Sequence, residues 1–269
     1  MTTELTMEPF AALMRTYCID YTNSHDLSVC DSIMEPDYVV RICGMALERD
    51  ASYKHSVETV FSRFPALGLV VHELVTNGDR LAMRFSEHGA SATGELACWA
   101  GIGLYDWNGE RLTSCRVEQD FWSQRRQLDT GVPDALEAPH LDPWSTTRAL
   151  PSDERAEQVV RAWLDAGELA AAAGGRIDET PLEEFRRPLD VDAVDVADLF
   201  SAGDRVAFHA TLRGRSTGVV DGLGASGAAV AMDVAGLVTV SDGRVADAHV
   251  VTDRFGASMG LRSNVGGAG

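Results

Sequence analysis

Residues 8–22 set Phe10, Leu13, Met14, Tyr17 and Tyr21 at helical spacing, which predicts an opening helix with one apolar stripe. A short helix over 27–34, a strand over 38–43, a helix near 53–64 and a strand near 68–76 follow. Three further segments, 80–89, 96–107 and 111–122, alternate apolar and polar positions with the period of two that a strand requires. The pattern then stops. Between 129 and 153 stand Pro133, Pro139, Pro143 and Pro151, too many for a continuous helix or a central strand, so this stretch reads as a linker over the surface. Beyond it Val159, Val160, Trp163 and Leu164 mark a helix over 153–165.

The elements after the linker repeat those before it. Gly78-Asp79-Arg80-Leu81-Ala82-Met83 is echoed by Gly203-Asp204-Arg205-Val206-Ala207-Phe208, each a turn that feeds a strand. A strand, an Asn108-Gly109 turn and a strand ending in Asp120 are echoed by a strand, an Asp242-Gly243 turn and a strand ending in Asp253. The chain therefore divides into a first module over 1–131, a linker over 132–152 and a second, abbreviated module over 153–269. In the second copy the first strand and second helix are expected to be short, and an insertion over 219–227 is expected to lengthen a hairpin.

Charge narrows the choice of partners. The 269 residues carry a net charge of −18, with 41 acidic against 23 basic side chains, and neither half is basic. Binding to a phosphate backbone or an anionic membrane surface is disfavoured. Cys18, Cys30, Cys43, Cys98 and Cys115 form no CxxC pair and read as reduced thiols. No histidine or carboxylate spacing matches a metal site. The N-terminal residues lack the basic and apolar regions of a signal peptide, and no window approaches 18 uninterrupted apolar residues, so a soluble, cytoplasmic protein is expected.

Asn23-Ser24-His25-Asp26, Gly78-Asp79-Arg80, Arg84, Trp99-Ala100-Gly101-Ile102, Asn108-Gly109, Asp120 and the closing Gln127-Leu128 occur in an order that resembles the nuclear-transport-factor-2-like superfamily. The likeness is to its SnoaL-like polyketide cyclases, ketosteroid isomerases and limonene epoxide hydrolases, over 8–128 and, more loosely, 153–261. It implies an α+β fold of two tandem cone-shaped modules, each a curved, mostly antiparallel sheet wrapped around helices and an apolar pocket. Superfamily members commonly pair the outer faces of their sheets, so the resemblance implies an intrachain pseudo-dimer; a further homodimer is left open.

The resemblance also points to site residues. In SnoaL-like cyclases the acid-base aspartate lies on the last strand shortly before the closing Gln-Leu, the position of Asp120. Strict alternation then puts Glu118 and Arg116 on the same face, giving a base, an acid and an anion stabiliser with no cofactor and no metal. Tyr17, Met83, Phe85, Glu87, Trp99 and Tyr105 are the expected substrate-binding residues. The departures matter too. The carboxylates of the ketosteroid isomerases are missing near Tyr38 and at Gly103, and an Asp-Arg-Asp triad of the limonene epoxide hydrolase type would need Arg84 to point inward. In the second copy His209 falls at the position of Arg84, Val251 stands where Glu118 is in the first, and His249 with Asp253 are the candidate pair. The implied function is a cofactor-independent acid-base enzyme acting on an apolar, oxygenated small molecule of polyketide or terpenoid type, by cyclisation, isomerisation or epoxide opening. The alternatives are an epoxide hydrolase of the limonene or polyether type and a non-catalytic small-ligand-binding or scaffold module.

Overall fold

Two six-stranded sheets with the same strand order organise the chain. In the computed structural model residues 7–260 are described, apart from 168 and 221. Helix α1 (Pro9–Arg15) opens with proline in its first turn, and the Glu8 carboxylate accepts from the Ala11 N–H. It continues as a wider π-type turn over Thr16–Asn23, so the opening helix is one bent rod that buries Phe10, Met14, Cys18 and Tyr21. A 3₁₀ turn (Leu27–Val29) and α2 (Cys30–Ile33) lead into β1 (Met34–Ile42) and β2 (Met45–Glu48). Then come α3 (Lys54–Arg63), β3 (Gly68–Thr76), β4 (Arg80–Ala90), β5 (Leu96–Trp107), β6 (Leu112–Gln119) and α4 (Phe121–Thr130). The order is β2-β1-β6-β5-β4-β3, antiparallel except where β1 meets β6.

Two features depart from the sequence expectation. The last strand ends at Gln119 rather than 122, because the Asp120 carboxylate accepts from the Ser123 N–H at 3.0 Å and starts α4. Along β6, Ser114 pairs with Asp106 but Leu112 with Trp107, so Thr113 is an extra residue, a β-bulge. Helix α4 ends at Gly131 with φ 69°, and the Gln127 amide fastens it to β5, accepting from the Cys98 N–H and donating to the Cys98 carbonyl.

The proline-rich segment holds a single turn of helix, α5 (Pro143–Thr146), and runs along the open edge of β3. His140 N–H donates to the Val71 carbonyl, Leu150 N–H to that of Thr76, and Thr76 pairs with Ala149. The strap thus covers an edge that would otherwise be free to pair with another chain.

The second copy comprises α6 (Glu154–Asp165), capped by Asp153, then β7 (Gly174–Ile177), β8 (Thr180–Pro181), β9 (Leu189–Ala202), β10 (Arg205–Ser216), β11 (Ala229–Ser241), β12 (Arg244–Thr252) and α7 (Arg254–Ser258). Its order, β8-β7-β12-β11-β10-β9, repeats the first sheet. Asp253 caps α7 as Asp120 caps α4, so the recurrent strand-end aspartate is a helix cap in both copies. The aromatic packing recurs as well: a Cβ on Gly101 would lie 2.3 Å from the Phe85 ring, and one on Gly236 2.2 Å from that of Phe208.

Each sheet encloses its own apolar core, and a third core lies between them. Val75, Ala82, Ile102 and Leu104 of the first sheet meet Phe200, Ala207, Ala235, Leu237 and Val251 of the second. The sheets therefore pack back to back through their outer faces, as an intrachain pseudo-dimer, and the alanines let the two backbones approach. Among the described residues no helix is long and apolar enough to cross a membrane. Truncating a central seam residue, Leu104→Ala or Leu237→Ala, is expected to cost about 3 kcal/mol. Because the seam is shared, both modules should still melt in one transition, checked by calorimetry together with urea unfolding.

Candidate active site

The first cone holds a cavity of about 650 Å³. Its floor and walls come from the inner face of the sheet, the π turn after α1 and α3; α4 stands at its rim. Cross-strand neighbours share a face, and β5 pairs Gly101 with Gln119, Gly103 with Val117 and Tyr105 with Cys115. The inward residues of β6 are therefore Cys115, Val117 and Gln119, and all three line the cavity. From Ser114 to Gln119 the ladder is regular, so Arg116 and Glu118 do share one face with the Asp120 position, but that face is the outer one. The Thr113 bulge, one extra residue, is what lets Leu112 face the first core as well.

The expectation for three residues, which rested on the likeness of Asp120 to an inward catalytic position, is corrected. Arg116 lies on the outer face, opposite Leu104 of the seam. Glu118 is buried in the seam at 1% side-chain exposure, where its Oε1 meets His209 Nε2 of the second module at 2.9 Å. Asp120, besides capping α4, accepts from Arg254 Nη2 at 2.7 Å. Arg116, Glu118 and Asp120 are thus removed from the cone and belong to the joint between modules.

Of the substrate-binding candidates, Tyr17, Phe85, Glu87 and Tyr105 line the cavity. Met83 and Trp99 stand behind the wall. Met83 is fully buried against Cys18, and Trp99 packs on Phe64 with ring centroids 5.3 Å apart.

Glu87 is the carboxylate of the apolar interior; the other carboxylate on the lining, Asp129, stands exposed at the rim. Burial pushes the Glu87 carboxyl up to about 7, against a smaller opposing pull from a hydrogen bond with Gln119. Trp99 Nε1 donates to Gln119 Oε1 at 2.7 Å, which turns the Gln119 amide N–H group toward Glu87. Trp99, outside the cavity, thereby orients a group inside it.

Phenols meet in the same space. Tyr21 donates to the Tyr53 hydroxyl at 2.9 Å, and the Tyr53 and Tyr17 hydroxyls lie 3.2 Å apart. Burial raises all three above the ordinary tyrosine value, so they stay protonated; their two mutual hydrogen bonds use two of the three hydroxyl hydrogens and leave one for an outside acceptor. The charge on Glu87 is felt at Tyr21. Tyr17 and Tyr21 are helix tyrosines that the resemblance allows to project a phenol into the cone, and both line it; Tyr53 sits at the end of an irregular π turn where no periodic pattern flags it.

The second cone is filled. Trp163 stands edge-on to Phe208, Leu212 and Met232 pack beside them, and a void of about 20 Å³ remains. The candidates His249 and Asp253 do not meet within a cone. His249 faces a separate cleft of about 270 Å³ between the modules, and Asp253 caps α7. Alternation is again the reason, because Val250 faces the second core and Val251 the seam.

Three acids that line the cleft, Asp120, Asp178 and Glu179, are held by Arg254. Its guanidinium contacts Asp120, Asp178 at 3.2 Å and Glu179 at 2.6 Å. Burial, followed by the charge of Asp178, raises Asp120 well above its ordinary value despite Arg254. Burial also raises Asp178, whereas the Arg254 hydrogen bond and charge outweigh burial at Glu179 and bring it to about 2. Among the described residues two buried groups have ligand atoms close enough together for a metal ion: Cys43, Glu118 and Asp253, and Glu118, His209 and Asp233. Residues so distant in sequence give no local spacing signal; Glu118 and His209 are hydrogen-bonded across the seam, and Asp253 is a helix cap.

The sequence matches the model of the SnoaL-like domain over residues 15–115 and that of the SnoaL-like polyketide cyclases over residues 180–259. The chain belongs to the SnoaL-like family, as a tandem of two such domains. Among solved structures, IdmH from Streptomyces antibioticus, a proposed polyketide cyclase, is 18% identical with a TM-score of 0.41 over 45% of this chain and 99% of its own. AclR from Streptomyces galilaeus, a proposed hydroxylase, is 19% identical with a TM-score of 0.43 over 46% and 98%. An LEH-like epoxide hydrolase of M. tuberculosis is 12% identical with a TM-score of 0.38 over 47% and 93%. No curated protein matches the chain.

Arg254→Leu should leave the buried Asp120 and Asp178 and the half-buried Glu179 facing one another without a cation and cost about 3–5 kcal/mol. The loss is expected to be larger at pH 8 than at pH 5, where the carboxylates can take up protons instead. Urea unfolding at the two pH values measures it.

Proposed function

We propose that the first module is a cofactor-independent acid-base enzyme for an apolar, oxygenated small molecule of polyketide or terpenoid type, with Glu87 as the group that exchanges the proton. The observation that carries this reading is the Glu87 carboxyl, raised to about 7, in the mostly apolar interior of a cavity that also presents tyrosine hydroxyls there, its other charged residues, Arg63, Arg125 and Asp129, being exposed. A carboxyl so placed holds or releases a proton near neutral pH, as general acid-base chemistry requires. The Tyr17–Tyr53–Tyr21 chain supplies a neutral donor for an oxygen that gains negative charge, and a low-dielectric wall strengthens such a hydrogen bond.

Polarity of the proton transfer separates the reaction types. If Glu87 is a base that removes a carbon-bound proton for ring closure or isomerisation, kcat/KM rises with pH through about 7 and then levels off. If it is an acid that protonates an epoxide oxygen, kcat/KM falls through the same region. The carboxylate-guanidinium-carboxylate arrangement of the limonene-type hydrolases finds no support inside this cone, because Arg84 points outward and bonds Glu137 of the strap at 2.7 Å.

Glu87→Gln is expected to lower turnover about 10²–10⁴-fold. It should also raise the melting temperature at pH 8 and leave it nearly unchanged at pH 5. The carboxyl titrates near its ordinary 4.5 when unfolded and near 7 when folded, so its ionisation burdens the folded state only as pH rises across that window. Turnover retained in Glu87→Gln would favour a ligand-binding module instead.

Gln119→Leu removes a hydrogen bond that favours the charged carboxylate. The pH midpoint of kcat/KM should move upward from its wild-type position, by comparison of the two profiles.

A further inference from the structure

The second module, whose own cone is filled, supplies one side chain to the cavity of the first. Among the described residues the cavity is lined by residues between Tyr17 and Asp129 and by one residue from the other copy, the half-buried Phe255 of α7. Helix α7 packs against α4, which places Phe255 on the side of the cavity lined by Phe121, Gln124, Arg125 and Leu128.

The position of this ring is set by contacts already described. Asp253 accepts from the Gly256 N–H at 2.6 Å and starts α7. The next residue, Arg254, donates to the same Asp120 oxygen that caps α4. One carboxylate therefore fixes the first turns of both helices, and Phe255 follows directly. The loop between β10 and β11 closes the arrangement from outside: a Cβ at Gly222 would lie 3.2 Å from Trp122 of α4 and 3.3 Å from Ser258 of α7.

We propose that Phe255 is a specificity-determining wall of the first cone, through which the second module sets the size of apolar molecule the cavity accepts. The proposal rests on the first cone being the ligand site. A phenyl ring offers a large, stiff apolar surface with few rotamers, which suits it to act as a stop. Short ligands lie within the part of the cavity that the first module builds; longer ones reach the α4 side and meet the ring. The arginines there, Arg63 and Arg125, favour molecules with a polar or anionic end left toward solvent.

The test uses the full chain and two apolar anions of different size, 8-anilinonaphthalene-1-sulfonate and its larger dimer bis-ANS, titrated by fluorescence. Removing the ring in Phe255→Ala should strengthen bis-ANS binding relative to the smaller probe by about 10-fold, the scale on which a pocket reads a few methylenes. Phe255→Trp should shift the ratio the other way, and Phe255→Leu, which keeps an apolar contact for α7, should fall between Ala and the wild type. Near-UV circular dichroism accompanies each variant to show that the fold is kept. A ratio that stays the same across Ala, Leu, wild type and Trp overturns the proposal. Neither probe reacts, so this outcome is independent of whether Glu87 transfers a proton; loss of the acid-base reading would show in Glu87→Gln and leave the size ratio unaffected.

Discussion

The charge of Arg254 is the constraint on which the joint between the modules rests. Three carboxylates, from the end of β6 and from the segment after β7, are drawn out of water by the packing of the sheets, and one guanidinium holds them there. Without it the desolvation of those acids would oppose the apolar seam. With it, the starts of α4 and α7 are tied together, and α4 is held at the rim of the first cone. The polar joint and the apolar cavity are therefore consequences of one another.

The two fates of buried acid in this chain illustrate how environment assigns a role. Asp120 and Glu118 are bonded to Arg254 and His209 across the seam and act as structural anchors. Glu87 has a neutral amide and an apolar wall, and burial brings it near the pH at which proton exchange is productive. Burial raises Asp120 as well, so the shift alone does not assign the role. What differs is access: Asp120 is bound to a guanidinium and a helix start, whereas Glu87 faces the open cavity.

Most of the fold was legible in the sequence, because hydrophobic period and turn chemistry act locally. The duplicated turn-and-strand segments, the Asn108-Gly109 hairpin and the abbreviated second copy all correspond to elements that are present. The site was less legible for one definite reason. Period two tells which residues share a face, as Arg116 and Glu118 do, but not which face is inward, and that choice was taken from the likeness of Asp120 to a catalytic position. Glu87 could be placed inward because β4 pairs with β5 without a bulge between Arg80 and Ala90. The strand-end aspartates carried a family likeness to a catalytic position, yet each is followed three residues later by an N–H that it caps, a signal visible at Ser123 and Gly256. Pairings such as Glu118 with His209, 91 residues apart, depend on the assembled seam and leave no local trace.

Covalent fusion of the copies also changes what the seam is permitted to be. In a homodimer with a two-fold axis every contact occurs twice, so a buried Glu118–His209 pair would be matched by an identical pair on the other side. Here the equivalent places hold Arg84 and Val251, and Arg84 takes its counter-charge from Glu137 of the strap. Once the twofold is broken, a substitution is felt once rather than twice, and the halves can diverge: one cone filled with Trp163 and Phe208, the other left hollow. The union also survives dilution, since no encounter between separate chains is needed to form it.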